Sequence, residues 1–216
     1  GFRPNTGADA AGRSFQPEES RSAEIGAKLT VAGLTGTAAV FHLRKSNILT
    51  SDLANPGFSI AVGEAESRGL EFDVAGRLPG EVDAVLSYAY TGAEVTEGAT
   101  DPNGFVIRPG DRLINVPEHA FSAQASRGFV VGGRDLSLGG GVLHVGERLG
   151  EVGTSFELPA YTLVRAVGSV ALSERVELAA VVNNLFDETY YPNAFARLWV
   201  APGTPRNASL TLRLRF

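Results

Sequence analysis

Three histidines, His42, His119 and His144, are the side chains of this chain best suited to hold a metal or to move a proton near neutral pH. They are too scattered for a zinc site, and none has a second ligand four residues away. They read instead as wall or interface residues. The chain has no cysteine, which removes disulfides, thiolate metal sites and a thiol nucleophile. No Gly-x-Ser-x-Gly elbow and no phosphate loop occurs. No nucleophile–base constellation assembles, so the chain is read as non-enzymatic, with no catalytic residue, no metal site and no cofactor. Asp101-Pro102-Asn103-Gly104 begins like a calcium loop but lacks the remaining ligands, and is read as a turn. Asn207-Ala208-Ser209 matches a glycosylation sequon, yet it opens a strand. With a net charge of −5 and 20% charged residues, there is no basic stripe to neutralise phosphates, and nucleic acid is excluded as a partner.

The elements that must carry these residues are strands. No apolar run approaches the roughly 18–20 residues of a transmembrane helix, so any membrane span here is made of strands. The first residues, Gly1 to Gly7, have no basic region followed by an apolar core and do not form a signal peptide. The clearest alternation closes the chain. Leu210, Leu212, Leu214 and Phe216 point one way, and Ser209, Thr211, Arg213 and Arg215 the other. That pattern fits a strand between lipid and a wet lumen.

Eight further segments repeat it. Glu24–Ala32 sets Ile25, Ala27, Leu29 and Val31 against Glu24 and Lys28. Thr35–Lys45 follows, with Ala39, Phe41 and Leu43 expected on its apolar side. Arg68–Leu78 sets Leu70, Phe72 and Val74 against Glu71 and Asp73. Val82–Tyr90 carries Leu86, Tyr88 and Tyr90 opposite Asp83, with Val85 out of phase. His119–Phe129, Leu136–Val145, Thr162–Leu172, Val176–Leu185 and Asn207–Phe216 complete nine strands. The sixth and seventh are less clean, because Gly139-Gly140-Gly141 and His144 blur the phase.

The connections alternate in length. Gly33-Leu34, Pro79-Gly80-Glu81, about Val130–Asp135 and Ser173-Glu174-Arg175 are tight. Ser46–Ser67 (part of which could extend the third strand), Thr91–Glu118, Gly146–Tyr161 and Phe186–Arg206 are long. Such alternation is the pattern of an outer-membrane β-barrel, with short periplasmic turns and long external loops. The fold class is therefore all-β, an antiparallel transmembrane barrel segment. A soluble sandwich or lipocalin-like barrel leaves the one-ended long loops unexplained.

Six fragments, in order, resemble a TonB-dependent outer-membrane receptor of the ferric-siderophore type. Pro17-Glu18-Glu19-Ser20 followed by Glu24-Ile25-Gly26-Ala27-Lys28 is similar to that family's entry into a barrel strand. Phe41-His42-Leu43-Arg44-Lys45-Ser46-Asn47-Ile48, Ser67-Arg68-Gly69-Leu70-Glu71, Val116-Pro117-Glu118-His119 and Leu158-Pro159-Ala160-Tyr161-Thr162 resemble later strands and entries. The most specific piece is Asn184-Leu185-Phe186-Asp187-Glu188-Thr189-Tyr190-Tyr191, then Gly203-Thr204-Pro205-Arg206 before the last strand. In it, Asn184 and Asp187 are expected to satisfy backbone groups where the strand ends, and Tyr190 and Tyr191 to suit the interfacial aromatic girdle. Barrels of this family have about 22 strands closed around a plug. The resemblance therefore implies that residues 1–216 are a C-terminal barrel part, with the plug and about thirteen strands outside this chain.

The resemblance also implies a function: import of a ferric siderophore across the outer membrane, energised by the TonB complex through the plug. Cobalamin, haem or a carbohydrate is the alternative cargo, and a passive porin-like pore the alternative mechanism. Outer-membrane lipid and the barrel assembly machinery are the other implied partners, the latter reading the terminal strand Leu210, Leu212, Leu214 and Phe216. Ligand contacts are expected from the external loops, chiefly Tyr190, Tyr191, Phe195, Arg197 and Trp199, whose aromatic and arginine groups suit a bulky anionic iron chelate. The Thr91–Glu118 loop is net acidic. The lumenal set Glu24, Lys28, Glu71, Asp73, Asp83, Arg213 and Arg215 mixes signs, as a solvated wall of cross-strand ion pairs does.

Overall fold

The computed structural model describes residues 1–5, 7–51, 59–100, 106–151 and 153–216. Its main element is one antiparallel sheet: β1 (Phe2–Arg3), β2 (Glu18–Val31), β3 (Leu34–Ser51), β4 (Ser59–Leu78), β5 (Val82–Glu97), β6 (His119–Val131), β7 (Arg134–Val145), β8 (Tyr161–Ser173), β9 (Val176–Asn183) and β10 (Asn207–Leu214). Each strand pairs with its neighbours in chain order. The nine strands expected from the alternation are all present, and β1, a two-residue pairing with Glu18–Glu19, is the addition. The expected calcium-like turn Asp101–Gly104 lies outside the described residues.

The strands nearest the amino end are longer than their apolar pattern. β3 runs on to Ser51 and β4 begins at Ser59, so most of the expected Ser46–Ser67 loop is a paired ribbon. β5 likewise continues to Glu97. Beyond the lipid, a strand needs no apolar face, so polar and apolar residues extend the ladder without a strict alternation. At the other end, pairing stops at Leu214 and Phe216 lies fully exposed beyond it.

The short turns set which face each side chain takes. Val31 pairs with Leu34 across Ala32-Gly33, whose φ angles of 51° and 80° are both left-handed, as a two-residue turn of this hand requires. Val131 and Arg134 close the same way over Gly132-Gly133, with φ of 59° and 74°. The two-residue turn starting at Ala32 corrects the reading of β3. Ile25 pairs with Val40 and Ala27 with Ala38, whereas Phe41 pairs with Glu24 and Leu43 with Ser22. Phe41 and Leu43 therefore lie on the polar face. Phe41 is there because it covers a bare backbone. Its partner across the sheet is Gly69, where an added Cβ would sit 2.8 Å from the Phe41 ring and 2.0 Å from the Tyr90 carbonyl oxygen.

With that register, one face is apolar from β2 to β10. The row Ile25, Val40, Leu70 and Tyr90 continues in step with Phe72, Leu86, Phe121, Val142, Val164, Leu178 and Leu212. The glycines of β7 do not break the phase. Leu136, Leu138, Val142 and His144 share this face with Gly140. Among the described residues only Ala65, Val95, Leu149, Leu158 and Ala194 form a buried apolar core, and none of them belongs to this face. Ile25 and Leu210 are 78% and 71% exposed. An apolar surface of that extent is a face for lipid. Arg127 stands on it near the short-turn end. Its guanidinium lies 5.0 Å from the Phe129 ring centre and reaches toward Gly80 in the short turn, a snorkel to the periplasmic interface.

At the outer end of the same face stand Tyr88, Tyr90, His119, Phe121 and His144. His119 Nδ1 is 2.9 Å from the Tyr88 hydroxyl, and His144 Nδ1 is 2.9 Å from the Thr162 hydroxyl. His42 sits beside Glu66 at 3.3 Å. Each histidine thus has its own polar partner in a girdle. The opposite face carries Glu24, Lys28, Glu71, Asp73, Asp83 and Arg213. Part of it forms the expected ion pairs: Arg77 with Asp83 at 2.9 Å, and Arg213 and Arg215 with Glu177 at 3.4 and 3.9 Å. Glu24, Lys28, Glu71 and Asp73 form none among the described residues.

In the full-length receptor, Leu212→Arg places a charge on the lipid face at a cost of about 2–4 kcal/mol near the bilayer midplane. It should lower outer-membrane levels well below those of Arg213→Leu, as read by heat-modifiable gel mobility after induction. Normal insertion of the Leu212 variant with failure of the Arg213 variant would invert the assigned faces.

Candidate functional site

The buried part of this chain is in its long connections. After β5, Val95 donates to the Asp111 carbonyl and Leu113 donates to that of Ala93, folding the 98–118 connection back along its own strand. Asn115, with a left-handed φ of 62°, then joins the other two connections. Its backbone N–H donates to the Leu149 carbonyl at 2.8 Å. Its side-chain amide clasps Ala194 reciprocally, Nδ2 donating to the carbonyl at 2.8 Å and Oδ1 accepting from the N–H at 2.9 Å. Arg112 adds an ion pair to Glu157 at 3.2 Å, and Arg197 pairs with the buried Glu151 at 2.7 Å. The 98–118, 146–160 and 184–206 connections therefore form one cross-linked cap.

At its centre is Arg148, 1% exposed. Its guanidinium donates to the carbonyls of Gly146, Pro159, Tyr191 and Pro192 and lies 5.1 Å from the centre of the Tyr161 ring. Burial pulls its pKa down from the ordinary arginine value, yet an arginine stays charged. The side chain acts as a multi-headed clamp on four backbone acceptors that no strand satisfies.

The corner that follows β9 is a second hydrogen-bonded unit. Asn184 is buried with φ 48°, and Asp187 has φ 59°. The Asn184 amide donates to the carbonyls of Glu188 at 2.9 Å and Thr204 at 3.2 Å and accepts from the Glu188 N–H at 2.8 Å. The Asp187 carboxylate accepts from the Arg206 N–H at 2.8 Å. The Tyr190 ring packs 4.7 Å from Tyr161 and so close over Gly203 that an added Cβ would lie 2.3 Å from it. The expected backbone-satisfying roles of Asn184 and Asp187 are what the geometry contains.

The five loop residues expected to touch a ligand separate here. Tyr190 is committed to Tyr161 and Gly203, and its hydroxyl accepts from the Thr204 N–H at 3.3 Å. Tyr191 gives its carbonyl to Arg148. Arg197 is held by Glu151 but keeps more than half of its side chain exposed. Phe195 and Trp199, 60% and 72% exposed, contact each other at 6.2 Å across the hairpin formed by Asn193–Ala196 and Trp199–Ala201, with Leu198 86% exposed at its tip. The structure thus brings Phe195, Arg197 and Trp199 together on one hairpin, packs Tyr190 against Tyr161 and Gly203, and leaves the Tyr191 side chain 37% exposed just before the hairpin. Arg148, Asn115 and Glu151 were not singled out by sequence; nothing local marks their bonds to the 184–206 connection, whose partners are 43–79 residues away.

A sheet with one continuous lipid face, one polar face and its long connections gathered into a single cap defines a transmembrane β-barrel of the outer membrane. The family described as TonB dependent receptor-like, beta-barrel, matches residues 1–185. The chain belongs to the TonB-dependent receptors, as C-terminal barrel sequence. It is 43% identical to the metal-pseudopaline receptor CntO of Pseudomonas aeruginosa over 100% of this chain and 30% of that protein. It is 32% identical to the ferrichrome outer membrane transporter/phage receptor of Escherichia coli K12, over 100% of this chain and 29% of that one. Among solved structures, the ferric-catecholate import receptor Fiu of E. coli K12 superposes with a TM-score of 0.73 at 25% identity, covering 99% of this chain and 30% of that chain. The chain spans about 30% of the length of the relatives it matches.

Two substitutions test the cap in the full-length receptor. Arg148→Met keeps the bulk but leaves four carbonyls without their donor, at about 1–3 kcal/mol for each that stays dry. Asn184→Ala removes three bonds of about 0.5–1.5 kcal/mol each. Both should make residues 146–160 and 186–206 sensitive to protease while heat-modifiable mobility, which reports the strands, is retained.

Proposed function

We propose that the receptor to which this barrel belongs imports a metal chelate, a ferric siderophore or a related metallophore, using energy delivered by TonB. The observation that carries the reading is the 43% identity, across the whole chain, with a receptor named for a metal–metallophore complex. The ferrichrome transporter, at 32%, points to the same class of cargo. The geometry supports it: a braced cap presents Phe195, Leu198 and Trp199 outward on a hairpin held by Asn115 at Ala194 and by Glu151 at Arg197 in its turn. A rigid base lets exposed aromatic groups bind without first being ordered, which lowers the entropic cost of capture. Neither bond making nor bond breaking is required of the protein. The chelate binds outside, and release through the barrel follows when the coupled energy source acts.

Growth on single metal chelates, in a strain whose uptake depends on this receptor, identifies the cargo. Uptake should stop when TonB is deleted or the proton-motive force is collapsed; uptake that continues would make the barrel a passive pore. The double variant Phe195→Ala, Trp199→Ala should weaken binding of the cargo by about tenfold or more, as loss of exposed aromatic anchors does, with outer-membrane levels unchanged.

A further inference from the structure

We propose that Asn115 couples the three connections of the cap into one cooperative unit, which loosens or tightens as a whole. This concerns the cap itself and holds for any cargo. Asn115 stands between two short ribbons. On one side its backbone N–H donates to the Leu149 carbonyl, and Leu149 is paired with Glu157 in the ribbon of Arg148–Leu149 and Glu157–Leu158. On the other side its amide clasps Ala194, which is paired with Val200 in the hairpin of the last connection. A single row of partners thus crosses Glu157, Leu149, Asn115, Ala194 and Val200, and every connection contributes to it. The carboxamide of Asn115 stands in for a peptide group, with one donor and one acceptor turned to the Ala194 backbone.

Each half of the cap is braced on its own. The 98–118 connection is tied along β5 by Val95 N–H to the Asp111 carbonyl at 2.9 Å, Gly110 N–H to that of Val95 at 2.8 Å, and Leu113 N–H to that of Ala93 at 3.0 Å. The 146–160 and 184–206 connections are held together by Arg148, through the carbonyls of Tyr191 and Pro192, and by Glu151 with Arg197. Asn115 bonds to both of these connections from the first half. Arg112 adds its ion pair to Glu157 at 3.2 Å, but divides itself with Glu118 of its own connection at 3.5 Å. The partners of Asn115 are buried: Leu149 and Ala194 belong to the small apolar core, along with Val95 and Leu158. Water does not replace a bond lost there, so each half gains by keeping the other in place. Strands and loops outside this chain add cover to these contacts without unmaking them. Whatever grips one connection from outside therefore restrains the two it does not touch.

The test is amide hydrogen exchange, resolved by peptide, in the full-length receptor without any chelate, so its failure leaves the metal-chelate reading as it stands. Asn115→Gly keeps the left-handed φ of 62° without strain and removes only the amide. It should speed exchange by about tenfold or more at Ala194, which loses its acceptor, and also at Leu113 and Gly150, whose acceptors are the carbonyls of Ala93 and Phe156. Reciprocally, Arg148→Met should speed exchange at Val95 and Leu113, to which Arg148 makes no bond, by a similar factor. Asn115→Asp keeps the acceptor for the Ala194 N–H and loses the donor; it should lie between parent and glycine variant, and it carries the comparison if the glycine variant does not assemble. A rise confined to Ala194 with Asn115→Gly, or confined to residues 146–160 and 184–206 with Arg148→Met, overturns the inference. So does an equal rise in the ladder amides of β6 to β9, because the cap would then be no unit of its own.

Discussion

Within a bilayer no water is available to a peptide N–H or C=O, so each must be bonded within the protein. For this chain the consequence is a ladder that runs unbroken from β2 to β10, every strand hydrogen-bonded to its sequence neighbour. All else is arranged around that ladder. The side chains do not hold the sheet together by forming a core between layers, since among the described residues no second layer packs on it. They instead match two different solvents on its two faces. That is why the largest apolar side chains are among the most exposed of the isolated chain, and why so few residues in the strands are buried.

Once the ladder is obligatory, turn length becomes the variable that places chemistry. A change of one residue in a hairpin exchanges the two faces of everything beyond it. The two-residue turn at Ala32-Gly33, made possible by left-handed φ at both positions, sends Phe41 to the lumen and Val40 to the lipid. The lumen accepts an aromatic ring there because Gly69 offers it a bare backbone to cover. The same logic sets Arg165 of β8 against Gly141 of β7, two hairpins further on. Glycines in the strands are thus not merely weak points of the sheet. They are clearings that allow long side chains of neighbouring strands to lie flat.

The outer connections face the opposite difficulty. Their backbones leave the ladder, and their polar groups need partners that water only partly supplies once the loops pack together. Here the partners are side chains from distant connections: Arg148 for four carbonyls, Asn115 for one strand-like pair, Asn184 and Asp187 for the corner after β9. The outcome is a cap whose interior is rigid through hydrogen bonds and whose exposed hairpin can be apolar. Membership of the TonB-dependent receptors agrees with such an arrangement, in which recognition outside and passage inside use different faces of one wall.

The sequence by itself determined the class and the count. Period-two alternation marked all nine long strands, the alternation of short and long connections marked the two ends, and the motifs from Pro17 to Arg206 marked the family. It also named the corner residues Asn184, Asp187 and Gly203, because their partners lie within about 20 residues. Tertiary structure alone decided the rest. The face of Phe41 depended on a pairing register that an alternating pattern with apolar residues on both sides cannot fix. The ribbon formed by Ser46–Ser51 and Ser59–Ser67 depended on pairing between segments that carry no clean periodic signal. Arg148 and the separation of Tyr190 from Phe195 and Trp199 depended on contacts between connections far apart in the chain. Alternation records which solvent a side chain meets, whereas a hydrogen bond between loops leaves no mark on either segment until both are folded.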